Sequence, residues 1–202
     1  MTVPDPDDLT ARARIRDAAM AHIGEHGFER ATIREIAETA GVSLGLVRHH
    51  FGSKQALREA CDEHLMKTMR RLHEQAASGP PQGFNPLSAM GAHRRYLARA
   101  LTEGWAAPLF DEMVRMGEPW VAQADRSRAD PPDVDAKSRS AVIAAMALSF
   151  TVLAQHVERG MGIDLDSAEG QDKLLRALLD VYSHPLLTPD EAAEARAVLD
   201  RK

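Results

Sequence analysis

Apolar residues recur at helical spacing along almost the whole chain, and the interruptions fall at glycine and proline. Ile15, Ala19 and Ile23 stack at i, i+4 intervals with Gly27 just beyond, which predicts a first helix over roughly Thr10–His26. A second helix is marked by Thr32 and Glu35, whose hydroxyl and carboxylate can each satisfy one of the helix's orphan amides. Ile33, Ile36, Ala37 and Ala40 then form one apolar face, and Gly41 suits a left-handed cap. Val42 and Val47 bracket a new N-cap at Ser43, which predicts a short third helix running to about His50. Phe51-Gly52 breaks it, and Ser53 starts a long fourth helix that continues to about Ala77.

Beyond Ala77 the segments still read as helix, punctuated by SGPPQGFNP (Ser78–Pro86) and DPPD (Asp130–Asp133). Shorter breaks fall near Gly104–Pro108, Gly160–Asp166 and His184–Pro189. The stretch Ala141–Ala154 is unusual in being apolar around most of its circumference. Val142, Met146, Ser149 and Leu153 line one side, and Ile143, Ala147, Phe150, Ala154 and Val157 another. A surface helix of a monomer needs one apolar stripe, so the second side predicts a partner. The next helix offers Leu174, Leu175, Leu178, Leu179 and Tyr182 at compatible spacing. Packing both helices against symmetry mates predicts an isologous four-helix interface built on Val142, Met146, Phe150, Leu153, Leu174, Leu175, Leu178 and Tyr182. The last helix opens at Thr188-Pro189-Asp190-Glu191, a capping box with proline at its first turn.

Composition narrows the class. Aromatic residues make up 4% of the 202 and β-branched runs are scarce, so the expected fold class is all-α. The uncharged run Ser140–Val157 approaches transmembrane length, yet it carries Ser, Thr, Gln and His and lacks basic flanks; a buried helix, and no membrane partner, is expected. A lone cysteine, Cys61, fits a reducing cytoplasm, and the acidic, proline-containing residues 1–9 read as a tail rather than a leader. The net charge is -5, and residues 1–60 hold eight Lys/Arg against nine Asp/Glu. A generally basic nucleic-acid binder is therefore excluded. Any such contact must be a local patch.

Two short helices joined by a tight glycine turn match the helix-turn-helix pattern, whose second helix enters the major groove by its N-terminal residues. The stretch from Leu44 to Lys54 contains Arg48 and Lys54 and no acid, which supplies that local patch. At this point the residues resemble a known family: ATIREIAETAGVSLGLVRHHFGSKQAL (Ala31–Leu57), with Gly27-Phe28 before it, closely resembles the DNA-binding domain of the tetracycline-repressor family. The resemblance implies a head over residues 10–57 and an effector-binding and dimerisation body over 58–202. It further implies a repressor of palindromic, double-stranded operators, bound as a homodimer and released by a small effector.

Carried onto this chain, the resemblance puts Thr32 against a phosphate, Ser43, Leu44, Gly45 and Leu46 in the groove, and Lys54 on a phosphate beside the fourth helix's amides. Arg34 and His49 are further expected contacts. Arg48 stands where the family often has a tyrosine, and could reach a phosphate or read guanine. His50 occupies a position often aromatic and is expected to pack. The same resemblance implies an apolar or amphipathic effector held in the body, for which Met66, Met69, Tyr96, Trp105, Phe110, Met113, Met116, Trp120 and His156 are candidates.

Two other readings compete. His22, Glu25 and His26 match an H-x-x-E-H zinc-protease pattern, but Gly24 weakens the helix there and Gly27 ends it. No third ligand, phosphate loop or nucleophile triad is evident, so neither catalytic residues, a metal nor a cofactor is expected. A DNA-binding regulator without a small effector is the other alternative.

Overall fold

In a computed structural model of the chain, the structure describes residues 10–77, 93–128, 130–184 and 186–201. The tail expected over residues 1–9 and the break expected at Ser78–Pro86 lie outside these. Ten helices and no strand occur among the described residues: α1 Ala11–His26, α2 Ile33–Ala40, α3 Leu44–Phe51, α4 Lys54–Ala77, α5 Arg94–Thr102, α6 Ala107–Asp125, α7 Ala136–Val152, α8 Ala154–Met161, α9 Ala168–Ser183 and α10 Pro189–Leu199. The all-α expectation holds. The chain divides into two compact units, one reaching Val157 and the other beginning at Glu158.

Local chemistry sets the ends of these helices. Thr10, Thr32, Ser43, Asp135, Ser167 and Thr188 each accept a backbone amide three residues on, satisfying one orphan donor. Both expected capping boxes form, at Thr32 with Glu35 and at Thr188 with Glu191. Gly41 closes α2 at φ 64°, ψ 40°, the left-handed conformation that the turn requires.

In the first unit, α1 is the hub: it touches α2, α3, α4 and α5. Its Ile15, Ala19 and Ile23 are buried with Ile36 of α2, Val47 of α3, and Leu57 and Leu65 of α4 in one core. Tyr96 and Leu97 of α5 join this core, so the three N-terminal helices share apolar packing with later ones. α6 and α7 lie side by side and pack tightly where Gly117 meets Ser140; a methyl on Gly117 would overlap the Ser140 hydroxyl. That hydroxyl is buried and donates to the Val114 carbonyl at 2.7 Å. Arg139 grips Asp125 through two 2.7 Å bonds across the intervening loop.

The apolar stretch Ala141–Ala154 departs from expectation in one respect. α7 ends at Val152, and the chain turns by 76° into α8 at Leu153. Ser149 in the last turn donates its hydroxyl to the Met146 carbonyl at 2.6 Å, the back-bonding that bends helix ends. No single described helix is long and apolar enough to cross a membrane; α7 and α8 reach that composition only jointly, across this bend.

The second unit is small. Its α9 starts tightly against the preceding turn, where a methyl on Gly170 would overlap the Asp164 carbonyl. Lys173 donates to the Met161 carbonyl and Gln171 to that of Leu165, which pins the turn down.

Candidate nucleic-acid interface

The helical turn-by-turn geometry of α3 separates its residues into two sides. Val47 and Phe51 are buried, while Leu44, Gly45, Arg48 and His49 are exposed on one continuous arc beside them. Leu46 and His50 lie between and are half-buried. Ser43 spends its side chain on the Leu46 amide at 3.2 Å and so fixes the N-terminus of the helix. Val42 of the turn packs partly buried on the core, as the staple requires. An exposed N-terminal arc on a helix whose back is anchored by apolar residues is what a major groove can accept.

The Arg48 guanidinium makes no hydrogen bond or ion pair with another described residue, while its carbonyl accepts the Gly52 amide at 2.8 Å. Arg48 borders a concavity lined also by Ile33, Val47, Gly52, Ser53 and Lys54, which joins α2, α3 and the start of α4. The Ser53 hydroxyl caps α4 by accepting the Ala56 amide at 3.0 Å. Partial positive charge from helix amides therefore adds to two side-chain cations around one hollow.

The other expected contacts are already engaged. Thr32 donates its hydroxyl at 2.6 Å and its backbone amide at 3.1 Å to Glu35, and these two hydrogen bonds hold the Glu35 carboxyl below the usual carboxylate range. Arg34 is paired with Glu38 at 3.1 Å on the open surface. Lys54 donates to the Glu29 carbonyl at 3.0 Å, with its ammonium 4.5 Å from the centre of the Phe28 ring. His49 and His50 stack edge to face, and His50 also meets Phe51.

Two cations near the recognition helix come from α1 and were missed in the sequence. Arg12 stands 5.2 Å from the centre of the Phe51 ring, and Arg14 reaches the Gly41 turn. Both are exposed. The pattern of arginine at every second residue, Arg12, Arg14 and Arg16, was the available signal.

Behind the head, Arg58 of α4 lies over both Phe28 and Trp105 and is bonded to Asp62 at 3.0 Å. Asp62 accepts the Tyr96 hydroxyl, and burial raises its carboxyl despite that bond and the nearby Arg58. Tyr96 is fully buried, as is Met69 nearly so, which makes both part of the core. Met66, Trp105, Phe110, Met113 and Met116 pack partly buried on that core. The Trp105 indole N–H is buried without an acceptor among the described residues. Trp120 and His156 do not join them. Trp120 is 56% exposed beside Pro119, its ring facing His73, and exposed His156 follows the bend at Leu153, so neither lines an enclosed pocket.

The apolar sides behave differently on the two helices expected to dimerise. On α7, Ser140, Ala144, Leu148 and Thr151 are buried, while Val142, Ile143 and Met146 are exposed; Phe150 is half-buried and Leu153, at the bend, is exposed. On α9, Leu174 is buried at 2% exposure, which corrects its placement on a partner-facing surface. It follows Gly170 by one turn, on the side pressed to the Asp164 turn. Leu175 and Leu178 are half-buried, and Leu179 and Tyr182 exposed. The H-x-x-E-H residues His22, Glu25 and His26 are not gathered into a three-ligand group among the described residues, and a His22 ring nitrogen is spent on the Thr39 hydroxyl at 2.7 Å.

Comparison with known proteins agrees with this geometry. The model of the tetR family of bacterial regulatory proteins matches residues 15–61. Over 195 residues the chain is 33% identical to the HTH-type transcriptional regulatory protein RaaS of Mycobacterium tuberculosis, covering 90% of this chain and 84% of that protein. An HTH-type transcriptional repressor of the same organism is 34% identical over 155 residues, covering 75% of this chain and 78% of its own. Among solved structures, CprB of Streptomyces coelicolor in complex with its operator sequence is similar at a TM-score of 0.55 and 25% identity, covering 74% of this chain and 82% of that one. A gamma-butyrolactone receptor is similar at the same TM-score and identity, over 71% of this chain and 79% of that one.

Proposed function

Because the chain belongs to the tetR family of bacterial regulatory proteins, and is thus a DNA-binding transcriptional regulator rather than an enzyme, we propose that it is a cytoplasmic, ligand-responsive repressor acting as a homodimer on a palindromic operator. The observation that carries the reading is the exposed arc of α3, with Leu44, Gly45, Arg48 and His49 outward and Val47 and Phe51 buried behind. In this reading Arg48 supplies charge to a phosphate or a guanine edge, and Leu44 and Leu46 meet thymine methyls past the small Gly45. Ser43, Thr32, Arg34 and Lys54 border the backbone, Lys54 through the donors its Glu29 bond leaves over.

Dimerisation is assigned to the exposed apolar residues of α7, Val142, Ile143 and Met146, and to Leu179 and Tyr182 of α9. The effector site is assigned to the partly buried Met66, Trp105, Phe110, Met113 and Met116. Their surface suits an apolar or amphipathic molecule, and an acceptor on it would satisfy the Trp105 indole N–H.

Footprinting of the purified protein on the DNA upstream of its own gene tests the reading. A palindromic protected site is expected, weakened by Arg48→Ala with a salt dependence about one unit shallower if Arg48 holds a phosphate. Absence of protection, or binding indifferent to salt, would overturn it.

A further inference from the structure

Away from the DNA-facing arc, the first unit gathers one potential metal ligand from each of three elements. Asp17 comes from α1, His64 from α4, and His93 immediately precedes α5. One carboxylate oxygen and one ring nitrogen from each histidine all lie within 4.8 Å of one another. The two imidazoles stand at 88° with ring centres 5.7 Å apart. Both histidines are half-buried and Asp17 is open to solvent, so an ion has a route in.

The donor set selects the ion. Two imidazoles with one carboxylate suit zinc, nickel, cobalt or copper, whereas magnesium and calcium prefer oxygen throughout. The spacing fits as well. Three atoms no more than 4.8 Å apart share a centre within about 2.8 Å of each, that is 4.8 divided by √3. Contraction to the zinc–nitrogen distance of about 2.0–2.1 Å asks each side chain to move by less than about 1 Å, which torsion adjustments of surface side chains supply. Arg16 holds Asp17 through Oδ1, by Nε at 3.2 Å and Nη2 at 3.1 Å, and a carboxylate has a second oxygen to give. The guanidinium's charge opposes a cation, and the carboxylate charge offsets it.

We propose that Asp17, His64 and His93 form a binding site for a divalent transition cation of the zinc–nickel–cobalt class, with solvent completing the coordination. Such an ion would cross-link α1, on which the recognition helix is packed, to α4 and to the start of α5. Its occupancy would therefore stiffen the packing of the DNA-binding helices on the helices that follow. The site is distinct from the His22/His26 pair.

Metal retention by the untagged full-length protein tests this without reference to DNA. After loading with Co2+ or Zn2+ and desalting, one equivalent per protomer is expected, with visible d–d absorption for cobalt and a raised Tm for zinc. His64→Gln and His93→Gln should each weaken binding by about tenfold or more, while His22→Gln should leave it unchanged. Equal melting of the variants and the parent protein in EDTA shows that the substitutions spare the fold. Failure to retain stoichiometric metal, or retention undiminished in both His64→Gln and His93→Gln, would overturn the proposal; so would a loss that follows His22→Gln instead.

Discussion

Gly24 faces Tyr96 so closely that a methyl group on Gly24 would sit 2.7 Å from the Tyr96 backbone nitrogen. The two residues join α1 to α5, and both are buried. Gly24→Ala gains roughly 0.5–1 kcal/mol of helix propensity but forces backbone apart at a cost of about 1–3 kcal/mol. The clash wins. Urea unfolding should show a lower midpoint for the variant with an unchanged slope; a gain in stability would mean that α5 shifts freely on α1.

Glu112, buried in α6, accepts bonds from Arg115 at 2.6 and 2.9 Å and from Arg70 of α4 at 2.6 Å. These bonds, those of Arg115 first, lower its carboxyl to about 2 from an ordinary 4.5. A depressed folded value stabilises the protein above the unfolded value and loses that effect as the carboxyl protonates. The stability difference between the parent protein and Glu112→Gln should thus be full above pH 4.5 and shrink between pH 4.5 and 2. Denaturation midpoints measured across that range check it; a constant difference would show that the charge is not what Glu112 contributes.

The caps were legible in the sequence because their partners lie three or four residues apart. Thr32 with Glu35, Ser43 with Leu46 and Thr188 with Glu191 need no knowledge of the fold. The residues of α3 expected in the groove are named through the family resemblance rather than through periodicity, and of these Leu44, Gly45 and Arg48 are exposed while Leu46 is half-buried. The three-way clamp on Glu112, the nearness of Gly24 to Tyr96 and the gathering of Asp17, His64 and His93 depend on distant segments meeting. Periodicity carries no information about them. The bend at Leu153 was hidden for another reason: neither glycine nor proline marks it, only a serine bonded back to its own helix.

Met146 is 48% exposed on the open side of α7. Met146→Glu should keep helical circular dichroism and shift the protein toward monomer in sedimentation. An unpaired charge buried at a subunit contact costs about 3–5 kcal/mol. Operator affinity should fall with it. A variant that stays dimeric would remove α7 from the contact.

Cys61 is buried, and its thiol donates to the Arg16 carbonyl at 3.6 Å. Burial pushes the thiol well above its usual range, with the Asp62 charge adding to the effect. Thiolate is the reactive form, so labelling by a disulfide reagent should be slow in the native protein and complete in denaturant. Rapid labelling at native pH would mean that α4 separates from α1 far more often than this packing allows.

Lys54 reaches back from α4 to the Glu29 carbonyl and lies across Phe28. A lysine on an open surface samples many rotamers and surrenders about 2 kcal/mol of that freedom when it grips a ligand. Here much of the surrender accompanies folding, before any operator is present. In the proposed operator complex, the loop between α1 and α2 would thereby present a charge of fixed address, with the entropy of localising Lys54 transferred from the encounter to the assembly of the head.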